Sequence, residues 1–146
     1  MSLTNAAETN LLSHLFVNAD WANIGDAGGL QNSAAAGDFY ISLHSGDPGE
    51  AGSQTTSEVA YTGYARVAVP RTGGGWTVAG AQVSNTALVQ FPQCSGGSAT
   101  ATHFGIGTDS SGAGNLILKG ALTSSLAISN GIQPQFAAAA LVATVD

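Results

Sequence analysis

Charge is what this chain has least of. Charged residues make up 8% of it, and its only cations are Arg66, Arg71 and Lys119, against nine Asp and Glu. A soluble domain carries about 25% charged residues. Nucleic-acid and phosphate binding need clustered Lys and Arg, and three scattered cations with a net charge of −6 do not supply them. Catalysis also draws on titratable side chains, and few are present. The small uncharged residues that replace them suit close packing of sheet on sheet and chain on chain. The expected role is a structural part of an assembly, with no enzymatic activity and no cofactor.

Other absences narrow the reading further. Cys94 stands alone, which excludes an internal disulfide and a Cys-rich zinc site and predicts a buried thiol. Residues 1–17 lack a basic start and a continuous apolar run, so no secretory signal is expected. No stretch reaches the ~20 apolar residues of a membrane span. Hydrophobic residues are 44% of the chain, many of them Ala, so a lone copy has a thin core that oligomerisation would complete. No repeat or composition shift marks a boundary, and a single domain over residues 1–146 is expected.

The residues present give one helix and many strands. Thr4 or Asn5 can cap a helix over residues 5–17, with Glu8 placed to reach back from Asn5 and Leu11, Leu12, Leu15 and Phe16 on one face. Residues 18–38 have no periodicity; Trp21, Ile24 and Leu30 punctuate them, which predicts an ordered arm. From residue 39 the pattern is β. Alternation in residues 39–44 ends at the turn phrase Ser45-Gly46-Asp47-Pro48-Gly49, and a polar loop to about residue 57 follows. Further strands are expected at 64–69, 76–83 (Gly80 marking a bulge or close contact), 87–91 and 100–107. Next come 115–118 with 121–122 (broken at Gly120), 126–128, 132–136 and 139–145. Turns every eight to twelve residues predict a mainly β, jelly-roll-like sandwich or small β-barrel, preceded by the helix and arm.

The clusters that could carry chemistry have plainer explanations. His44, Asp47 and Glu50 lie close together, but Asp47 before Pro48-Gly49 is a turn-former and the spacing matches no metal loop. No metal site is expected. His44 and His103 sit in alternating strand patterns, and no Gly-x-Ser-x-Gly elbow accompanies them. Gly73-Gly74-Gly75 lacks the Lys-Ser/Thr ending of a phosphate loop and reads as a hairpin turn. A glycan hydrolase would need paired carboxylates, for which Asp47 with Glu50 or Glu58 is the clustered choice.

Several phrases resemble a family of small tailed-phage virion proteins. They are Phe39-Tyr40-Ile41-Ser42-Leu43-His44-Ser45-Gly46-Asp47-Pro48-Gly49-Glu50-Ala51-Gly52, Thr55-Thr56-Ser57-Glu58 and Tyr61-Thr62-Gly63-Tyr64-Ala65-Arg66-Val67-Ala68-Val69. Phe91-Pro92, Thr102-His103-Phe104-Gly105-Ile106-Gly107 and Gly114-Asn115-Leu116-Ile117-Leu118-Lys119-Gly120-Ala121-Leu122 extend the likeness along the chain. Such proteins are described as tail-fibre-like or as capsid decoration (cement, minor capsid) proteins. The resemblance implies a virion structural protein.

Without heptads or repeats, the head is the expected location rather than a fibre shaft. The expected protein is a homo-oligomer, as a trimer, that binds the major capsid protein on the outer surface of the head, with no nucleic acid or membrane partner. A tail or tail-fibre component, or a virion-borne receptor- or carbohydrate-binding module, is the alternative. The expected partner contacts are Trp21, Ile24 and Leu30 of the arm and Asp47, Glu50 and Glu58 of the polar loop, because large apolar groups make efficient anchors. Packing of Trp21 on its own domain is equally open.

Overall fold

The computed structural model describes residues 2–145. The chain is mainly β, with several antiparallel sheets and one N-terminal helix. It forms two compact units interleaved in sequence: Met1–Asp38, Pro70–Leu88 and Phe136–Asp146 make the first, and Phe39–Val69 with Val89–Gln135 the second.

In the first unit, α1 (Asn5–Phe16) starts at Thr4, whose hydroxyl accepts from the Ala7 amide. Thr4 rather than Asn5 is the cap, so Glu8 lies one residue too far along to close a capping box and is buried instead. The helix ends one residue before Val17. Asn18 turns the chain out with φ of 53°, and Arg71 satisfies the last carbonyls, donating to His14 O (2.9 Å) and Leu15 O (2.5 Å). Leu12 and Phe16 are buried, and the Phe16 ring meets Trp76 edge-on at 4.8 Å. Trp76 opens β3 (Trp76–Ala79), which pairs with β4 (Gln82–Asn85). The single strand expected over 76–83 is therefore a hairpin, and Gly80, at φ of 62°, forms its turn instead of a bulge. A strand from the C-terminal region, β9 (Val142–Thr144), adds to β4. Asn85 fastens that segment: its side chain accepts from Leu141 N (2.8 Å) and donates to Ala137 O (2.8 Å).

The second unit is built on a four-stranded sheet. Its order is β2 (Val67–Pro70), β1 (Asp38–His44), β6 (Ser98–Gly107) and β7 (Leu116–Ser129). It ends at β2 and β7, so no closed barrel forms among the described residues and the barrel alternative is set aside. A two-stranded sheet pairs β5 (Val89–Gln90) with β8 (Gln135–Phe136). The glycine run at 73–75 joins β2 to β3, strands of different sheets, and so is a turn but not a hairpin.

β7 joins the strand expected over 115–122, with its break at Gly120, to the strand expected at 126–128. Gly120 does not break it: its register partner Phe104 lays its ring over the bare backbone, and a Cβ there would stand 2.7 Å from the ring. The irregularity comes later. Ala101 faces Leu126 and His103 faces Ala121, so residues 122–125 stand against Thr102 alone as a four-against-one bulge.

The two faces of the four-stranded sheet differ in chemistry. Directly opposed residues of antiparallel strands share a face. Ile41 and Leu43 therefore lie with Ile106 and Phe104 on an apolar face, while Ser42 and His44 lie with Gly105 and His103 on a polar one.

Candidate functional site

A loop straps the polar face. Residues 45–57 leave β1 and return to its end, where Ser45 N donates to Ser57 O (2.8 Å), Val59 N donates to Leu43 O (2.9 Å) and Glu58 pairs with His44. A loop whose ends meet in this way packs on its own side chains. Two glycines make room for it. A Cβ on Gly107 would stand 2.2 Å from Gln54 Cδ, and one on Gly114 would stand 2.2 Å from Gln54 Oε1. Gln54 is fully buried, donates to Asp109 O (3.2 Å) and accepts from Asp109 N (2.9 Å).

Below the strap lies His44, also fully buried. Its Nδ1 donates to Thr56 O (2.8 Å), which fixes the tautomer because a carbonyl only accepts. Nε2 is left to accept from Ser42 Oγ (2.8 Å). Burial pulls the His44 pKa below the ordinary histidine value, against the smaller opposing influence of the Thr56 bond.

Beside it is the strongest polar cluster of the unit. Arg66 clamps Glu58 with two hydrogen bonds, Nε to Oε1 (2.7 Å) and Nη2 to Oε2 (2.8 Å). Its remaining donors reach Asp109 O (2.8 Å) and Gly112 O (2.7 Å). The side chains are 2% and 15% exposed. The carboxylate holds the guanidinium pKa above its ordinary value. Tyr64 donates to Glu58 Oε1 (2.9 Å) and accepts from Leu43 N (3.1 Å), and burial pushes its phenol well above the usual tyrosine value.

The three loop carboxylates expected at a partner surface are thus separated. Glu58 faces inward to Arg66. Asp47 and Glu50 stay outside, their side chains 53% and 95% exposed, and share Lys119 at 3.0 and 3.2 Å. Asp47 also accepts from Gly49 N (2.9 Å), as a turn-former does, and this bond and Lys119 lower its pKa. His44 is buried beneath the strap while Asp47 and Glu50 stand outside it, and among the described residues no three such groups gather where a metal ion could be held.

In the first unit the arm is a closed loop. Asn18 and Ser33 exchange two hydrogen bonds of 2.9 Å, Asp20 accepts from Asn32 N (2.7 Å), and Trp21 and Leu30 exchange backbone bonds of 2.9 Å. Asp26 turns the tip by accepting from Gly28 N and Gly29 N. Ile24 and Leu30 are 44% and 43% exposed, while Trp21 is half-buried. Arg71 holds the far end through Ala36 O (2.9 Å).

Sequence reasoning passed over Arg66, Tyr64, Gln54 and Arg71. The available signal was scarcity: a chain with two arginines has reason to place both where several carbonyls converge.

A mainly β protein with a hydrogen-bonded loop that exposes two aliphatic side chains is the class that the structure defines, and comparison with known families gives the family. The sequence pattern of podophage GP4 fiber I protein gp80 matches residues 2–144, and the chain belongs to that family. It is a phage virion structural protein. No curated protein matches the chain. A place on the head has no counterpart in the family's description.

Proposed function

We propose that this protein is a structural subunit of a phage tail fibre, acting by protein–protein contact and not by catalysis. The observation that carries the reading is the family match over residues 2–144, whose description is a fibre protein. The arm loop supports it: Ile24 and Leu30 stand exposed on a scaffold closed by five hydrogen bonds, those of Asn18 with Ser33, Asp20 with Asn32 and Trp21 with Leu30. A preformed apolar loop binds with little ordering cost. The carboxylates a glycan hydrolase would use are each held by a cation, Glu58 by Arg66 and Asp47 and Glu50 by Lys119. Its partners are other copies of this chain and neighbouring virion proteins.

Separating disrupted virions into heads and tails tests the reading. The protein should travel with tails, and recovery with empty heads would contradict it. In the same particles, Ile24→Asp with Leu30→Asp should reduce incorporation while the isolated chain stays folded; full incorporation would remove the arm from the contact.

A further inference from the structure

We infer that His44 is a proton-operated latch: charging its ring in mild acid frees the strap of residues 45–57 from the polar face of the sheet. The argument starts from the two ring nitrogens. With Nδ1–H committed to Thr56 O, the neutral ring takes the Ser42 hydroxyl proton at Nε2. A second proton places a donor at Nε2, so Ser42 must turn its hydrogen elsewhere. The acceptor at hand is Gly105 O at 3.5 Å, beyond good O–H···O range. A charged ring therefore leaves a buried hydroxyl poorly satisfied.

The surrounding charges do not compensate. On the segment paired to one side, Glu58 faces the ring, but its oxygens are engaged by Arg66 and Tyr64. Arg66 brings a cation of its own. Across on β6, His103 is the direct register partner of His44, and a charge there repels. On β7, Lys119 faces Gly105 and is itself bound to Asp47 and Glu50 of the strap. Opening the strap removes the lid over the ring and lets water solvate the charge.

The direction of the pH effect follows. Burial holds the closed-state pKa of His44 below 6.5, so the open state takes up the proton first. The closed strap is fully favoured above about pH 6.5 and loses that advantage as pH falls toward the closed-state pKa. Over that window the opening constant rises up to about tenfold per pH unit for one histidine.

Hydrogen exchange on the full chain at pH 7.5 and 5.0, corrected for the intrinsic rate, tests it. Amides of residues 54–58 should lose protection in acid, by up to about tenfold per pH unit below 6.5, while those of β6 hold theirs. His44→Asn keeps a donor for Thr56 O and cannot titrate, so its strap should exchange alike at both values; His103→Asn should keep the wild-type response. Equal strap protection at the two pH values in the wild type would overturn the latch, as would a response that survives His44→Asn or vanishes with His103→Asn.

Discussion

Removing the Arg66 side chain is the sharpest test of what holds the second unit together. Arg66→Ala deletes the clamp on Glu58, takes its donor from Gly112 O and leaves Asp109 O with Gln54 alone. Breaking a buried ion pair by removing one partner costs about 3–5 kcal/mol, because the other charge stays buried. Glu58 keeps 15% side-chain exposure, so water relieves part of that and the lower end applies, roughly 3 kcal/mol. Total stabilities run about 5–15 kcal/mol, so this is a large share. At roughly 2–4 °C per kcal/mol for a chain of this size, the unfolding midpoint should fall by about 6–12 °C. Differential scanning calorimetry reads it directly. Arg66→Met with Glu58→Leu should recover most of the loss, since an apolar pair leaves no buried charge. A drop under about 1 kcal/mol for Arg66→Ala would place the pair among ordinary surface bridges and refute the reasoning.

Three further substitutions follow from close approaches and caps. Gly107→Ala drives a Cβ to 2.2 Å from Gln54 and should cost about 1–3 kcal/mol, with Gln54→Ser recovering part of it in a double-mutant cycle. Gly29→Ala combines φ of 67° with a Cβ 2.0 Å from Trp21 O; it should disorder the arm tip, seen as faster proteolysis there, while calorimetry of the remainder is unchanged. Arg71→Met uncovers the helix-end carbonyls and Ala36 O, and should lower the stability of the first unit by about 2 kcal/mol in denaturant titration.

Much of the fold was legible in the residues, and the misses have causes. The helix start, the 39–44 strand and its turn followed from capping residues, alternation and the Asp-Pro-Gly phrase. The hairpin at Gly80 was hidden because Gly80 stands between Ala79 and Ala81, without the Asn-Gly or Asp-Gly pair that marks a tight turn. β7 was split at Gly120 because a glycine reads as a break unless the cross-strand ring that covers it is known. The candidate site was less legible. Glu58 was assigned to the partner surface, since the arginine that turns it inward lies eight positions away across a tertiary contact. Trp21, Ile24 and Leu30 were located as one group, yet the side-chain bonds of Asn18 and Asp20 that close the arm on itself leave no periodic trace.

The central claim, a fibre subunit of the virion, is tested most directly by counting copies. Quantitative mass spectrometry of purified particles, scaled to the major capsid protein, should find this chain at the few-per-virion level of a tail structure. Hundreds of copies, in fixed ratio to the capsid protein, would contradict the fibre reading and place the protein on the head.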